Sequence, residues 1–248
     1  MSTTDADSGF FMRHGKPQGF FYLEHRTVDA KYAIVTDAHI TPGNVGDPEP
    51  YLDRLMYQTR RFGFSVEAVG LDAGYHTGYL CKKLLEHQLF AVMSYRRPSP
   101  TPKALPKRKF RFVPEMNLYV CPMGCMLTYR TVDREGKRHY RSRRQDCQGC
   151  PLQADCLSPT SRTRVITRHI WQDQKDLVAL NRRTPEGKTI FRLRHTTVER
   201  SFADAKELHG YRYAKFRGQT SVQIQAYLTA TVQNLKKIAS HRSKRKAA

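Results

Sequence analysis

Two carboxylates in this cation-rich chain stand where chemistry could be done. Asp72 falls where an apolar run, residues 66–71, meets the turn Asp72-Ala73-Gly74-Tyr75. The carboxyl ends of strands are where α/β sheets place their ligands. Glu199 lies in the helical run TVERSFADAKELHG, with Lys206 seven residues on, two turns later and on nearly the same face. Acids of this kind suit polynucleotidyl transfer, which uses two divalent cations, one to activate the attacking oxygen and one to stabilise the leaving oxygen. Magnesium takes hard oxygen ligands and needs few of them from protein. Each acid also has an ordinary reading. Asp72 beside a glycine turn can be a plain turn residue, and Glu199 can be exposed charge on an amphipathic helix.

Sulfur forms the second constellation. Cys121 and Cys125 are spaced C-x3-C, and Cys147, Cys150 and Cys156 follow as C-x2-C-x5-C. A C-x2-C pair lets two thiolates reach one tetrahedral zinc, and four cysteines close a structural site. The preferred set is Cys121, Cys147, Cys150 and Cys156, with Cys125 as substitute; an iron–sulfur cluster and reduced structural thiols stay open. Cys81, alone on an amphipathic stretch, reads as core. His25, His39 and His169 have no metal-like spacing, and the chain has no GxSxG, no Gly-rich nucleotide loop and no HExxH.

The cations set the partner. Forty-three Lys and Arg against twenty-two Asp and Glu leave +21 at pH 7. Such self-repulsion gains folding nothing, so a polyanion is the natural partner. Around the cysteines, Arg108, Lys109, Arg111, Arg141, Arg143 and Arg144 are candidates to clamp DNA phosphates, or are solvated loop residues. After Glu199, Arg212, Lys215 and Arg217 alternate with Tyr211, Tyr213 and Phe216. That mixture fits a groove that tracks a DNA backbone and stacks on splayed bases; it fits equally a hairpin or loop with buried aromatics. No run of eighteen apolar residues suggests a membrane span. The polar start, MSTTDADSG, lacks the regions of a signal peptide. The expected compartment is the cytoplasm, where six Cys suggest metal or free thiols before disulfides.

These residues need elements to position them. Residues 19–28 and 32–41 read as a strand hairpin, stopped by Pro42-Gly43-Asn44. A helix follows over 50–62 with Gly63 as its stop, then a strand over 66–71, a helix over 77–87 and a strand over 89–95. The order β-β-α-β-α-β predicts an α/β mixed sheet flanked by helices. From 96 the texture turns Pro- and Lys-rich and opens a stretch holding five of the six cysteines. Helices are expected over 170–183, 190–208 and 222–240, the last with an apolar stripe at Ala226, Leu228, Val232, Leu235 and Ile238. The domain reading is a first catalytic part over 1–98, a basic cysteine-rich insert over 99–163, a helical completion over 164–240 and a loose basic tail over 241–248.

With these pieces in order the chain resembles the DDE transposases of bacterial insertion sequences, in particular those with a long catalytic domain and a cysteine-bearing insert. The resemblance rests above all on VEAVGLDAGYHT (66–77) and TVERSFADAKELHGYRYAKFRG (197–218). It extends through GFFYLEHRTVDAKYAIVTDAHITPGNVGD (19–47), CQGCPLQADC (147–156), TRVITRHIW (163–171) and VQNLKKIA (232–239). It implies a ribonuclease H-like fold and a site holding magnesium or manganese, with Asp72 as the second catalytic acid and Glu199 as the catalytic glutamate. It implies DNA (transposon ends and target) as partner and admits a homodimer assembled on that DNA. Lys206 matches the family signature around the glutamate. Phe191 stands where the family has Tyr, and Arg194 lies one residue further from Glu199 than the commonest spacing.

The same resemblance exposes a gap. The family's first acid sits on an earlier strand, and nothing between Met1 and Gly19 offers an apolar strand ending in Asp. Asp37 lies in the second strand-like run, too late to correspond. The expectation is a ribonuclease H-like sheet without its first strand and a site short of one acid, in a truncated transposase. The alternatives are a DNA-binding remnant without chemistry and a ribonuclease H-like nuclease acting on its own.

Overall fold

The computed structural model describes residues 1–13, 15, 17–94 and 105–247, without the side chains of 244–247. The Tyr95 end of one expected strand and most of the Pro- and Lys-rich stretch lie outside the described residues. The chain is mixed α/β and divides into two compact units, Met1–Tyr95 with Asp176–Ala248, and Arg96–Lys175.

The first unit opens with β1 (Gly9–Phe11), β2 (Gly19–Val28) and β3 (Val35–Pro42) in one antiparallel sheet. The β2–β3 register pairs His25 with His39 and Tyr22 with Pro42. The Asp29 carboxylate forms the turn between them, accepting the amides of Lys31, Tyr32 and Ile34. Short polar side chains build such turns by replacing backbone partners, and here the turn delays β3 to Val35. The outer side of β3 is covered by helix α8 (Gln219–Ala247). Gln223 and Asn234 each exchange two hydrogen bonds with β3 backbone, and Gln219 donates to the Ile40 carbonyl. An exposed strand edge is a hazard that a helix can cover. This one does so with amides, while small Val222, Ala226 and Ala230 pack on Val35, Ala38 and Ile40.

That arrangement corrects the expected α8 stripe. Only Ala226 of the five faces the core; Leu228, Val232, Leu235 and Ile238 are exposed. Close approach to β3 selects small and amide side chains, so the bulkier aliphatics turn outward. The tail expectation is corrected too, since α8 continues through Ala247.

Helix α1 (Tyr51–Phe62) ends as expected at Gly63, whose φ of 66° is the left-handed conformation that glycine adopts without strain. β4 (Ala68–Leu71) and β5 (Phe90–Met93) pair in parallel, joined by α2 (Gly78–Glu86), whose first turn is capped by Thr77 accepting from the Leu80 amide. Leu55, Leu71, Leu80, Leu84 and Val178 close the main core here, together with Cys81, which is fully buried as expected. The expected single mixed sheet is instead two. β4 pairs only with β5, and residues 22–28 of β2 pair only with β3 among the described residues.

In the second unit β6 (Arg111–Val113), β7 (Leu118–Val120), β8 (Met126–Val132), β9 (Lys137–Ser142) and β10 (Val165–His169) form an antiparallel meander in the order β10-β9-β8-β7-β6. Phe110, Tyr119, Leu127, Tyr140 and Ile166 form its core. The short helices α3 (Arg144–Cys147) and α4 (Gln153–Cys156) lie between β9 and β10. This unit reaches Lys175 because β10 is an edge strand of its sheet, beyond the expected border at 163.

Helix α5 (Gln172–Asn181) leads into α6 (Pro185–Arg194). α6 starts with Thr184 accepting from the Gly187 amide and Pro185 in the first turn, a start signal that the apolar spacing alone places too late. A π-helical turn, His195–Glu199, joins it without a break to α7 (Arg200–Leu208).

Candidate active site

Asp72 follows β4 directly and heads the short turn Ala73–Tyr75, with its side chain 67% exposed. Two residues earlier, Gly70 permits a close approach. A Cβ there would stand 3.2 Å from Ile190 Cγ2 and 3.3 Å from Arg194 Cγ. Lacking one, β4 lets α6 settle against it and brings Arg194 over the strand end. Arg194 Nη2 lies 3.2 Å from Asp72 Oδ1 and 3.6 Å from Glu199 Oε1, and its Nη1 donates to Ser94 Oγ at 3.0 Å. Arg194 is only 11% exposed, while Glu199 is 46% exposed. One nearly buried guanidinium therefore gathers two exposed carboxylates that are far apart in sequence.

The π turn makes this convergence possible. Residues five apart on an α-helix point about 140° away from each other at 3.6 residues per turn. A π turn closes one residue later, on the i→i+5 pattern, so Arg194 and Glu199 come to one face. The wide turn has a local cause: the hydroxyls of Thr196 and Thr197 both donate to the Leu193 carbonyl, at 3.1 and 2.6 Å. Such back-bonding competes with the helical ladder. The bulge brings Arg194 and Glu199 together across a five-residue separation.

Three partners were missed by sequence reasoning. His195 Nδ1 meets Glu199 Oε2 at 2.6 Å, a contact legible in their four-residue spacing. Ser94 had no sequence signal. Asp47, in the GNVGD run, pairs with Arg13 at 2.6 Å, and its Oδ2 lies 3.2 Å from where a Cβ on Gly74 would sit. Burial, followed by the charges of Asp47 and Asp72, holds the Tyr75 hydroxyl pKa well above its ordinary value. Phe191, in the place of a tyrosine, lies with its ring centroid 5.8 Å from the Arg194 guanidinium.

Asp37 is committed elsewhere. Both its oxygens accept from the Arg54 guanidinium, and its side chain is 6% exposed. That pairing anchors α1 to β3. His25 is buried and His39 half-buried in the sheet, and burial lowers both pKa values.

Lys206 is exposed on α7, two turns beyond Glu199. Arg212, Lys215 and Arg217 are exposed in the segment between α7 and α8; Arg212 pairs with Glu207. Tyr213 and Phe216 are exposed beside them, whereas Tyr211 packs at the β3–α8 core. The segment is a loop with exposed cations, in which Tyr211 packs inward while Tyr213 and Phe216 stay exposed. Arg108, Lys109, Arg111, Arg141, Arg143 and Arg144 are all exposed on the second unit.

Among the described residues, no three His, Cys, Asp or Glu side chains already form a coordination sphere, and no helix is long and apolar enough to cross a membrane. Residues 120–239 match the family model of the transposase DDE domain, a span that includes Glu199, Arg194, Lys206 and five cysteines but not Asp72. No curated protein and no solved structure matches the chain.

Proposed function

We propose, from the match of residues 120–239 to the family model of the transposase DDE domain, that the chain is a DDE transposase whose site at Asp72 and Glu199 serves 3′-strand cleavage and strand transfer on DNA. The observation that carries the reading is the shared guanidinium. Arg194 reaches an oxygen of each acid, so their oxygens converge on one cation although they lie on different elements. Both are exposed enough to keep waters, as magnesium sites do, and their donor set is hard oxygen. Asp72 and Glu199 are the residues that would hold magnesium or manganese, and the ion supplies activation of the attacking oxygen and neutralisation at the leaving one.

The chain's own groups take the remaining roles. His195 orients Glu199 through Oε2. Arg194, freed from the acids, is placed to receive a phosphate oxygen, a task its planar fork suits. Lys206, Arg212, Lys215 and Arg217 line the surface that follows Glu199, and Tyr213 and Phe216 offer faces for unpaired bases at a cut end.

We read the framework as ribonuclease H-like with a first strand missing between β2 and β4. The continuous helix 185–208 meets β4 at Ile190 and Arg194, and meets β2 where Arg26 binds Ser201 and lies over Phe202. The helix thus touches both sheets, and residues 22–28 of β2 have no second strand partner among the described residues. An acid carried on that strand would join Asp72 and Glu199.

The test is magnesium-dependent cleavage of transposon-end DNA by the purified chain, with Asp72→Ala and Glu199→Ala beside it. Each substitution is expected to lower cleavage by at least about a thousandfold while leaving the circular-dichroism melt unchanged, since both side chains are exposed. Cleavage that survives both sinks the site assignment. Tight DNA binding with no cleavage in any metal favours the binding remnant instead.

A further inference from the structure

The second unit carries a thiol cluster that the proposed chemistry does not use. The register places it. Val120 pairs with Met126, so residues 121–125 form the β7–β8 turn. Leu127 pairs with Ser142, the last residue of β9, so α3 leaves the sheet at that same end. Arg141 pairs with Val165, which brings the approach to β10 there as well. Cys121 and Cys125 on the turn, Cys147 and Cys150 after β9, and Cys156 on α4 thus share one end of the meander. All five line a single cavity of about 30 Å³, and all are free thiols.

We propose that this cavity binds one zinc ion through the thiolates of Cys121, Cys147, Cys150 and Cys156. Local geometry selects these four. In the β7–β8 turn the Cys125 amide donates to Cys121 Sγ at 3.3 Å, a bond that stabilises a thiolate at Cys121. Cys125's own sulfur is turned to the Met123 carbonyl. Gly124 and Gly149, at φ 79° and 71°, make the tight turns that present Cys121 and Cys150. Cys147 Sγ lies 3.1 Å from Ser142 Oγ, a hydrogen-bond partner of the kind that orients a metal ligand. Arg164 binds the Cys156 carbonyl and lines the cavity, where its charge offsets the net negative charge of a four-thiolate zinc. The thiols line one cavity, but among the described residues no three of them are already grouped as metal ligands, so zinc binding requires their side chains to turn onto the ion. The apolar core of this unit lies among Phe110, Tyr119, Leu127, Tyr140 and Ile166. Cys121 and Cys156 pack against that core, and a metal would tie it to the turns that carry Cys147 and Cys150.

The experiment uses the full chain purified under reductant, and it is independent of strand transfer. Elemental analysis is expected to find one zinc per chain. Alkylation followed by peptide mass mapping is expected to label Cys125 alone in the zinc-loaded protein, and all five thiols of the cluster after chelation, with Cys81 protected in the core. Cys125→Ser should keep full zinc, and Cys150→Ser should lose it. Should Cys150→Ser fail to fold, cobalt titration of the wild-type chain still decides through thiolate-to-cobalt absorption and proton release. Absence of metal in the wild-type chain, iron with labile sulfide, or protection of Cys125 in place of one of the four would each overturn the proposal.

Discussion

At the residue scale, the acids of this chain are sorted by what surrounds them. Asp72 and Glu199 are exposed and share Arg194, whereas Asp37 is buried and spent on Arg54. The two environments have opposite consequences. Asp37→Ala strands a mostly buried guanidinium, and unpaired charges of that kind cost several kcal/mol. With Arg54 22% exposed, the expected loss in denaturant unfolding is about 2–3 kcal/mol, with DNA cleavage retained at equal folded fraction. Cleavage lost without loss of stability would identify Asp37 as the missing first acid. Arg26 shows the same logic inside the fold. Its side chain is buried and donates through Nε to Glu24 and through Nη1 to Ser201 and Gln233, leaving Nη2 without a hydrogen-bond partner, so it ties β2 to the helices behind it and has no share in the site.

At the scale of elements, the site depends on how α6 meets β4 and on the bulge that follows. Gly70 is the contact point, and contacts of 3.2–3.3 Å are too tight for a methyl unless Ile190 and Arg194 give way. Gly70→Ala should push α6 outward by a few tenths of an ångström and carry Arg194 with it. Small misplacements of positioning groups cost much in rate, and overpacking costs about 1–3 kcal/mol. Cleavage is expected to fall about tenfold in a chain that still melts cooperatively. An unchanged rate would show that the α6–β4 approach does not set the site. The π turn belongs to the same scale: Thr196 and Thr197 explain how an apparently misplaced arginine still meets its glutamate.

Across the whole molecule, a net charge of +21 is distributed over both units, and each phosphate contact releases counterions in proportion. Replacing Arg108, Lys109 and Arg111 together by alanine should reduce the slope of log affinity against log salt by about 2–3, if each meets one phosphate. The affected quantity is DNA binding; the metal content of the cysteine cluster should not move. A slope that stays at the wild-type value removes these three residues from the DNA-contacting surface.

Much of this was legible in the sequence because it is local. The 3.6-residue spacing and glycine stop outlined α1, the apolar run into Asp72-Ala73-Gly74 outlined β4 and its turn, and the burial of Cys81 followed from its amphipathic stretch. The pairing of cysteines to one end of a meander, the outward turn of Leu228, Leu235 and Ile238, and the convergence of Arg194 on two acids were not local. Periodicity reports that a helix has an apolar stripe, but only packing against β3 decides that alanines and amides face inward. Spacing alone sets Arg194 and Glu199 apart on an α-helix. The sequence by itself determined which residues carry charge, sulfur and helical or strand periodicity. Tertiary structure decided which of them meet, because a contact across 122 positions, such as that between Asp72 and Arg194, depends on close approach of elements that no neighbouring residue encodes.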